Sequence, residues 1–289
     1  MFERIVVATD LSPASYAVVR CLGGLRALGT RECLLLQCLT LGDAASAAFS
    51  YDAGPLEAML EEQRAILADQ GFAVETKVVV GSPRREIVSI AADGGYGLIV
   101  VGSQGRSLVA ERLLGGVAYG VIDSASTPVL VLPVERREGE ATTGEAVSCC
   151  DFAQHVLYAT DFSTMAEAAF EHVRELVAYG VRKVTLLHVQ DEVKLAKHPP
   201  ERLQEFDAID RERLQTLRQA LLERGRAEVE LEVCHGVPQR EITRAIRERD
   251  VQLAVLGTQG RGFVGELMLG SVSHAVARRS LAPVLLVRS

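Results

Sequence analysis

The sequence predicts an α/β chain built of two tandem domains, each a five-stranded parallel sheet wound with helices on both faces. Three observations carry this prediction. Short apolar, β-branched runs alternate with longer amphipathic stretches, which is the pattern of right-handed βαβ crossovers. The whole series occurs twice. Apolar residues make up 48% of the 289 residues, enough for two separate cores.

The repeat is legible by eye. "RIVVATDLS" (Arg4 to Ser12) aligns with "HVLYATDFS" (His155 to Ser163), and "LLLQC" (Leu34 to Cys38) aligns with "TLLHV" (Thr185 to Val189), both offset by 151 residues. "VVGSPRREI" (Val79 to Ile87) aligns with "CHGVPQREI" (Cys234 to Ile242) at an offset of 155, so the second copy carries four extra residues between these landmarks. Between the copies, "ERREGEATTGEAVSCCD" is charged and small without apolar periodicity, as an exposed linker is. The expected domains are residues 1–136 and 152–289, with a linker over 137–151.

In the second copy the predicted strands, in order, are "HVLYATD", "VTLLHVQ", "EVELEVC", "VQLAVLG" and "APVLLVR". Helices are expected around 164–179, 200–224, 238–249 and 270–280. Gly236 with Pro238, like Gly81 with Pro83, marks a strand exit followed by proline at the first helical position. The stretch from Glu201 to Arg226 reads as a long, heavily charged helix with one buried stripe.

Composition excludes several classes. A net charge of −7 argues against a nucleic-acid partner, because phosphate-backbone binding needs a basic surface. The opening "MFERIVVATD" lacks signal-peptide order and no apolar run is long enough for a membrane span, so a soluble cytoplasmic protein is the expectation. Six scattered cysteines, with Cys149 and Cys150 adjacent in the linker, read as free thiols. Six histidines show no ligand spacing, so no protein-held metal is expected.

The chemistry concentrates in two glycine stretches at strand ends, where ligands of doubly wound sheets bind. "GTQGRGFVGELMLGS" runs from Gly257 to Ser271, and "GSQGRSLVAERLLGG" runs from Gly102 to Gly116. Gly257 and Gly260 bracket a loop whose missing side chains let backbone N–H groups approach an anion. Gly270 and Ser271 open the last helix, whose free N–H groups and positive dipole end favour phosphate. Ser271 and Ser273 add hydroxyl donors. Loop-forming glycines with Ser271 as an N-cap remain an alternative reading, as does Asp161 as the N-cap of the helix that follows it.

The spacing Gly257-x2-Gly260-x9-Gly270-Ser271, with "YATDFS" on the first strand and "LLHV" on the second, resembles the ATP-binding branch of the universal stress protein family. The resemblance covers both halves. It implies a Rossmann-like sheet of order 3-2-1-4-5, tandem copies packed as an internal pseudo-dimer with "TPVLVLP" and "APVLLVR" as pairing edges, and further association into a homodimer of tandem chains. It also implies adenine and ribose contacts from Ala159, Thr160, Asp161 and Val189. Leu256, Gly257, Gln259, Gly260, Gly270, Ser271, Val272 and Ser273 would line the ribose and phosphates. The ligand would be ATP, ADP or AMP, with any Mg²⁺ held mainly by the phosphates.

The first copy departs from this pattern. Its corresponding residues are Thr9, Asp10, Gly102, Gly105, Gly115 and Gly116; glycine replaces the closing serine, Ala118 replaces the second hydroxyl, and Cys38 stands for Val189. Two phosphate donors are therefore missing, and a weak or empty first site is expected. No GxxxxGK[ST] loop and no GxGxxG after a first strand is present, so the usual kinase and dinucleotide readings fail. Arg261 and Glu266 are the local candidates for assisting hydrolysis, and each also fits a solvated loop residue. The leading expectation is a stress-response binding module that signals by population shift. A slow ATPase or adenylate-transfer enzyme at the same site, and a structural pseudo-dimer without nucleotide, are the alternatives.

Overall fold

The computed structural model describes residues 2–42, 54–104, 114–134, 151–195, 199, 201–260 and 269–288. The chain divides into two compact units, Met1–Cys150 and Asp151–Ser289.

The first unit runs β1 (Arg4–Thr9), α1 (Pro13–Arg20), a 3₁₀ turn (Leu22–Arg26), β2 (Glu32–Leu39), α2 (Gly54–Asp69), β3 (Ala73–Val80), α3 (Pro83–Asp93), β4 (Leu98–Gly102), α4 (Gly116–Ser124) and β5 (Val129–Leu132). The second runs β6 (His155–Thr160), α5 (Thr164–Ala178), β7 (Lys183–Asp191), the single turn α6 (Glu192–Leu195), α7 (Glu201–Leu222), β8 (Glu228–Gly236), α8 (Pro238–Glu248), β9 (Leu253–Gly257), α9 (Ser271–Arg279) and β10 (Val284–Val287). The predicted strands and helices of the second copy all form, with ends shifted by no more than two residues. The turn α6 was not anticipated.

Strand order is 3-2-1-4-5 within the first unit and 8-7-6-9-10 within the second, the same topology in sequence order. Pairing is parallel: β6 sets His155 opposite Lys183 of β7 on one side and Val156 opposite Leu253 of β9 on the other. Parallel strands covered on both faces are apolar along their length. Accordingly all six residues of β6 and all five of β9 are buried.

Glycine at the end of β9 is a packing requirement. A Cβ on Gly257 would lie 2.8 Å from the carbonyl carbon of Met165 in α5, a backbone contact with no room to yield. β6 and β9 are paired neighbours, so their exits lie side by side at the same end of the sheet. Tyr158 of β6 secures the same seam, donating its hydroxyl to the Ala166 carbonyl at 2.6 Å and lying against Phe170 at 5.4 Å between ring centroids.

Candidate nucleotide site at the β6 and β9 exits

The chain leaves β6 toward β7 on one side and returns to β9 on the other, so the crevice between the β6 and β9 exits is the switch point of the second sheet. Its first wall is the turn from Thr160 to Ser163. The Thr160 hydroxyl accepts from Phe162 N–H at 2.9 Å, and the Asp161 carboxylate accepts from Ser163 N–H at 3.1 Å. Phe162 sits in the left-handed region at φ 57°, and Ser163 caps α5 by accepting from Ala166 N–H. Ser163 is thus the N-cap and Asp161 is not. Asp161, half-buried, keeps its second carboxylate oxygen toward the β9 loop.

The second wall is that loop. A Cβ on Gly260 would stand 2.5 Å from Asp161 Oδ2, so a side chain here would turn the carboxylate away from the loop. Gly270, the N-cap of α9, approaches within the same tolerance: an added Cβ would meet the Thr258 carbonyl at 3.0 Å and Gln259 Cα at 3.3 Å. Ala159 and Leu256 lie buried just inside the two exits, and Val189 is half-buried near the end of β7.

The α9 terminus presents backbone N–H groups beside this crevice. Gly270 N–H is spent on the Thr258 carbonyl at 2.8 Å, and His274 N–H makes the first helical bond, to the Gly270 carbonyl at 2.9 Å. The N–H groups of Ser271, Val272 and Ser273 lie between, where an α-helix offers no internal acceptor. Ser271 is exposed at the first helical position, and the helix has no side-chain cap, so the alternative of Ser271 as N-cap does not hold. Ser273 is 5% exposed and donates its hydroxyl hydrogen to the Gly257 carbonyl at 2.7 Å. Its hydroxyl ties the helix to β9, with its hydrogen directed at the Gly257 carbonyl. Burial, then the charge of Arg278, holds His274 one turn later below the ordinary histidine range.

The first unit repeats the frame. Thr9 accepts from Leu11 N–H, Asp10 from Ser12 N–H, and Ser12 caps α1, with Leu11 at φ 58°. Gly115 N–H is spent on the Ser103 carbonyl as Gly270 N–H is on Thr258. Gly116 takes the place of Ser271, exposed, with open space where its Cβ would be. Ala118 takes the place of Ser273, so its missing hydroxyl costs a helix tie and no phosphate contact. Gly102 closes β4 against Val18 of α1. At the helix start the two units therefore differ by one exposed hydroxyl, that of Ser271. Gly105, Arg261, Glu266, Cys149 and Cys150 lie outside the described residues.

Two features of the second site escaped sequence reasoning. Thr258, between the glycines, is 2% exposed and its hydroxyl oxygen has no partner among the described residues. The corresponding Ser103 accepts from Val134 N–H at 3.1 Å. The other is the buried His188, whose ring contacts the Thr160 carbonyl at 2.7 Å. Its signal was present as the polar residue inside the apolar "LLHV". Among the described residues, no group of three His, Cys, Asp or Glu could hold a metal, and no helix is long and apolar enough to cross a membrane.

A doubly wound α/β domain repeated in tandem, with a glycine loop and a helix terminus near an aspartate at the switch point, is the class of fold that the two units share. The model of the universal stress protein family matches residues 1–133 and 153–288, and the chain belongs to that family. A universal stress protein of Mycolicibacterium smegmatis is 26% identical over 98% of this chain and 96% of its own length. One from Methanocaldococcus jannaschii is 28% identical over 46% of this chain and 93% of its own. In fold, the crystal structure of a universal stress protein from Archaeoglobus fulgidus superposes with a TM-score of 0.74 over 100% of this chain and 99% of that one, at 24% identity.

Proposed function

We propose that the second half of this chain binds an adenine nucleotide, ATP, ADP or AMP, and that the protein serves as a stress-response binding module. The observation that carries this reading is the approach of Asp161 to Gly260 beside the three leading N–H groups of α9. A carboxylate suits a ribose hydroxyl or an amine, and the N–H groups with the Ser271 hydroxyl suit phosphate oxygens. Thr258 adds a buried hydroxyl oxygen awaiting a donor. The first unit, with Gly116 in place of Ser271, lacks one charge-assisted bond of about 1.5 to 3 kcal/mol, which weakens binding roughly 10- to 150-fold.

Nucleotide content is the test. The chain purified without added nucleotide, denatured and chromatographed, is expected to release about one adenine nucleotide per chain, and Ser271→Ala is expected to release far less. Two per chain would refute the difference between the halves. No released nucleotide, together with no shift of melting temperature in millimolar ATP, would overturn the reading.

A further inference from the structure

Behind the β6 exit lies a buried polar chain that the ligand contacts leave unexplained. The His188 imidazole stands 2.7 Å from the Thr160 carbonyl through Nδ1 and 3.3 Å from Asp210 Oδ2 through Nε2. A carbonyl only accepts, so Nδ1 carries a proton and donates it. Asp210, on α7, also accepts from Gln190 Nε2 at 2.8 Å, and its other oxygen faces Arg213 Nη1 at 3.4 Å. Phe162 lies against the imidazole with ring centroids 4.7 Å apart, and the Arg213 guanidinium sits 5.2 Å from the same phenyl ring. His188, Gln190 and Asp210 are 8%, 5% and 9% exposed. Burying polar side chains is costly unless they are bonded; Gln190 Oε1 has no partner among the described residues, while the bonds that His188 and Asp210 do make favour one arrangement of ring and carboxylate.

What it arranges is the turn that carries Asp161. Thr160 and Phe162 flank that residue, and both touch His188. The first unit fastens its turn to α2 by a different pair of residues. Gln37 takes the register position of His188, opposite Thr9, yet its Nε2 is buried with no partner among the described residues. There Gln63 of α2 meets the Thr9 hydroxyl at 2.7 Å instead of any strand carbonyl.

We propose that His188 and Asp210 are positioning residues for the second-half site, fastening the Thr160–Ser163 turn to α7 so that nucleotide occupancy and helix α7 are coupled. The proposal rests on the nucleotide reading above and names the element that registers occupancy. Helix α7 contacts α5, β7 and β8 along one stripe and is otherwise largely exposed, which suits it to pass the state of the site to a surface. Coupling is reciprocal, so whatever holds α7 also tunes affinity for the nucleotide.

The test combines calorimetric ATP titration with hydrogen exchange on the full chain. ATP is expected to slow amide exchange in residues 201–222 of the wild type. His188→Gln and Asp210→Asn are expected to weaken ATP binding about tenfold or more and to abolish that protection, measured at a temperature where circular dichroism shows each variant still folded. His188→Asn places an amide nitrogen where Nδ1 was, able to donate to the Thr160 carbonyl, so it is expected to keep affinity within about threefold while losing the protection of α7. Wild-type ATP binding with no change of exchange in α7 would overturn the proposal without any variant. So would His188→Gln and His188→Asn binding alike. Both results leave nucleotide binding intact, whereas a wild type that takes up no nucleotide overturns the parent reading and this one with it.

Discussion

Gly257 and Gly260, three residues apart, are glycines for different reasons. At Gly257 the obstacle to a side chain is the Met165 backbone, which cannot turn aside. Gly257→Ala is expected to cost about 1 to 3 kcal/mol of stability in urea denaturation. At Gly260 the obstacle is the Asp161 carboxylate, which can rotate away at the expense of its place in the site. Gly260→Ala is therefore expected to move stability by under about 0.5 kcal/mol and to weaken ATP binding roughly tenfold. A gain of affinity in the same calorimetric titration would contradict the role given to Asp161. Sequence spacing treats the two glycines as one class, because it sees the missing Cβ and not what stands opposite. Ser271 and Ser273 divide in the same way: both are hydroxyls at the start of one helix, and only the fold spends the second on Gly257.

Among the elements, the helix starts were legible and the two N-caps offered as alternatives, Ser271 and Asp161, were not the caps. Pro83 and Pro238 stand at the first positions of α3 and α8, where the lost N–H costs nothing. For α5, Asp161 and Ser163 both fit an N-cap by residue type, and the left-handed Phe162 between them decides for Ser163. Ser163→Ala is expected to cost about 1 kcal/mol by chemical denaturation, and Ser12→Ala a similar amount at α1. The strands bear on the cysteines. Burial pushes the Cys33 thiol in β2 up to about 12, and burial, then Glu232, pushes Cys234 in β8 up to about 11. Both are expected to resist iodoacetamide at about pH 8 in the native chain and to react once it is unfolded, as read by peptide mass spectrometry. Fast native alkylation at Cys33 would show that β2 is less firmly packed than described.

For the whole chain, pH dependence is set largely by histidines kept neutral. Burial holds His155, His172 and His274 below the ordinary value of 6.5. His155 is also locked between the Arg249 carbonyl at 3.1 Å and the Thr185 hydroxyl at 2.9 Å. Where the folded value lies below the unfolded one, the unfolded chain binds more protons in the interval between them. Their contribution is thus complete above the ordinary value of 6.5 and is lost as pH falls through the lowered values. Glu230, held low by Lys183 at 2.6 Å, withdraws support in the same direction at lower pH. The melting temperature is expected to be nearly flat from about pH 8 to 7 and to decline below about 6.5. Replacing His155 by Gln is expected to flatten part of that decline, and an unchanged profile would assign it elsewhere.

The repeat, the alternation of strand and helix and the placement of the glycine loops needed no coordinates, because they follow from short-range physics: side-chain period, proline and glycine geometry, and the handedness of βαβ units. The family motif located the crevice for the same reason. The division of labour inside the crevice required the folded chain. Which hydroxyl remains free, which N–H is already spent and what each absent Cβ would strike depend on contacts between separate elements. His188 and Asp210 come from a strand and a helix 22 residues apart, and no periodicity links them. Their meeting is a product of how α7 packs on β7 and β8, where distances of a few tenths of an ångström decide whether a polar group is satisfied.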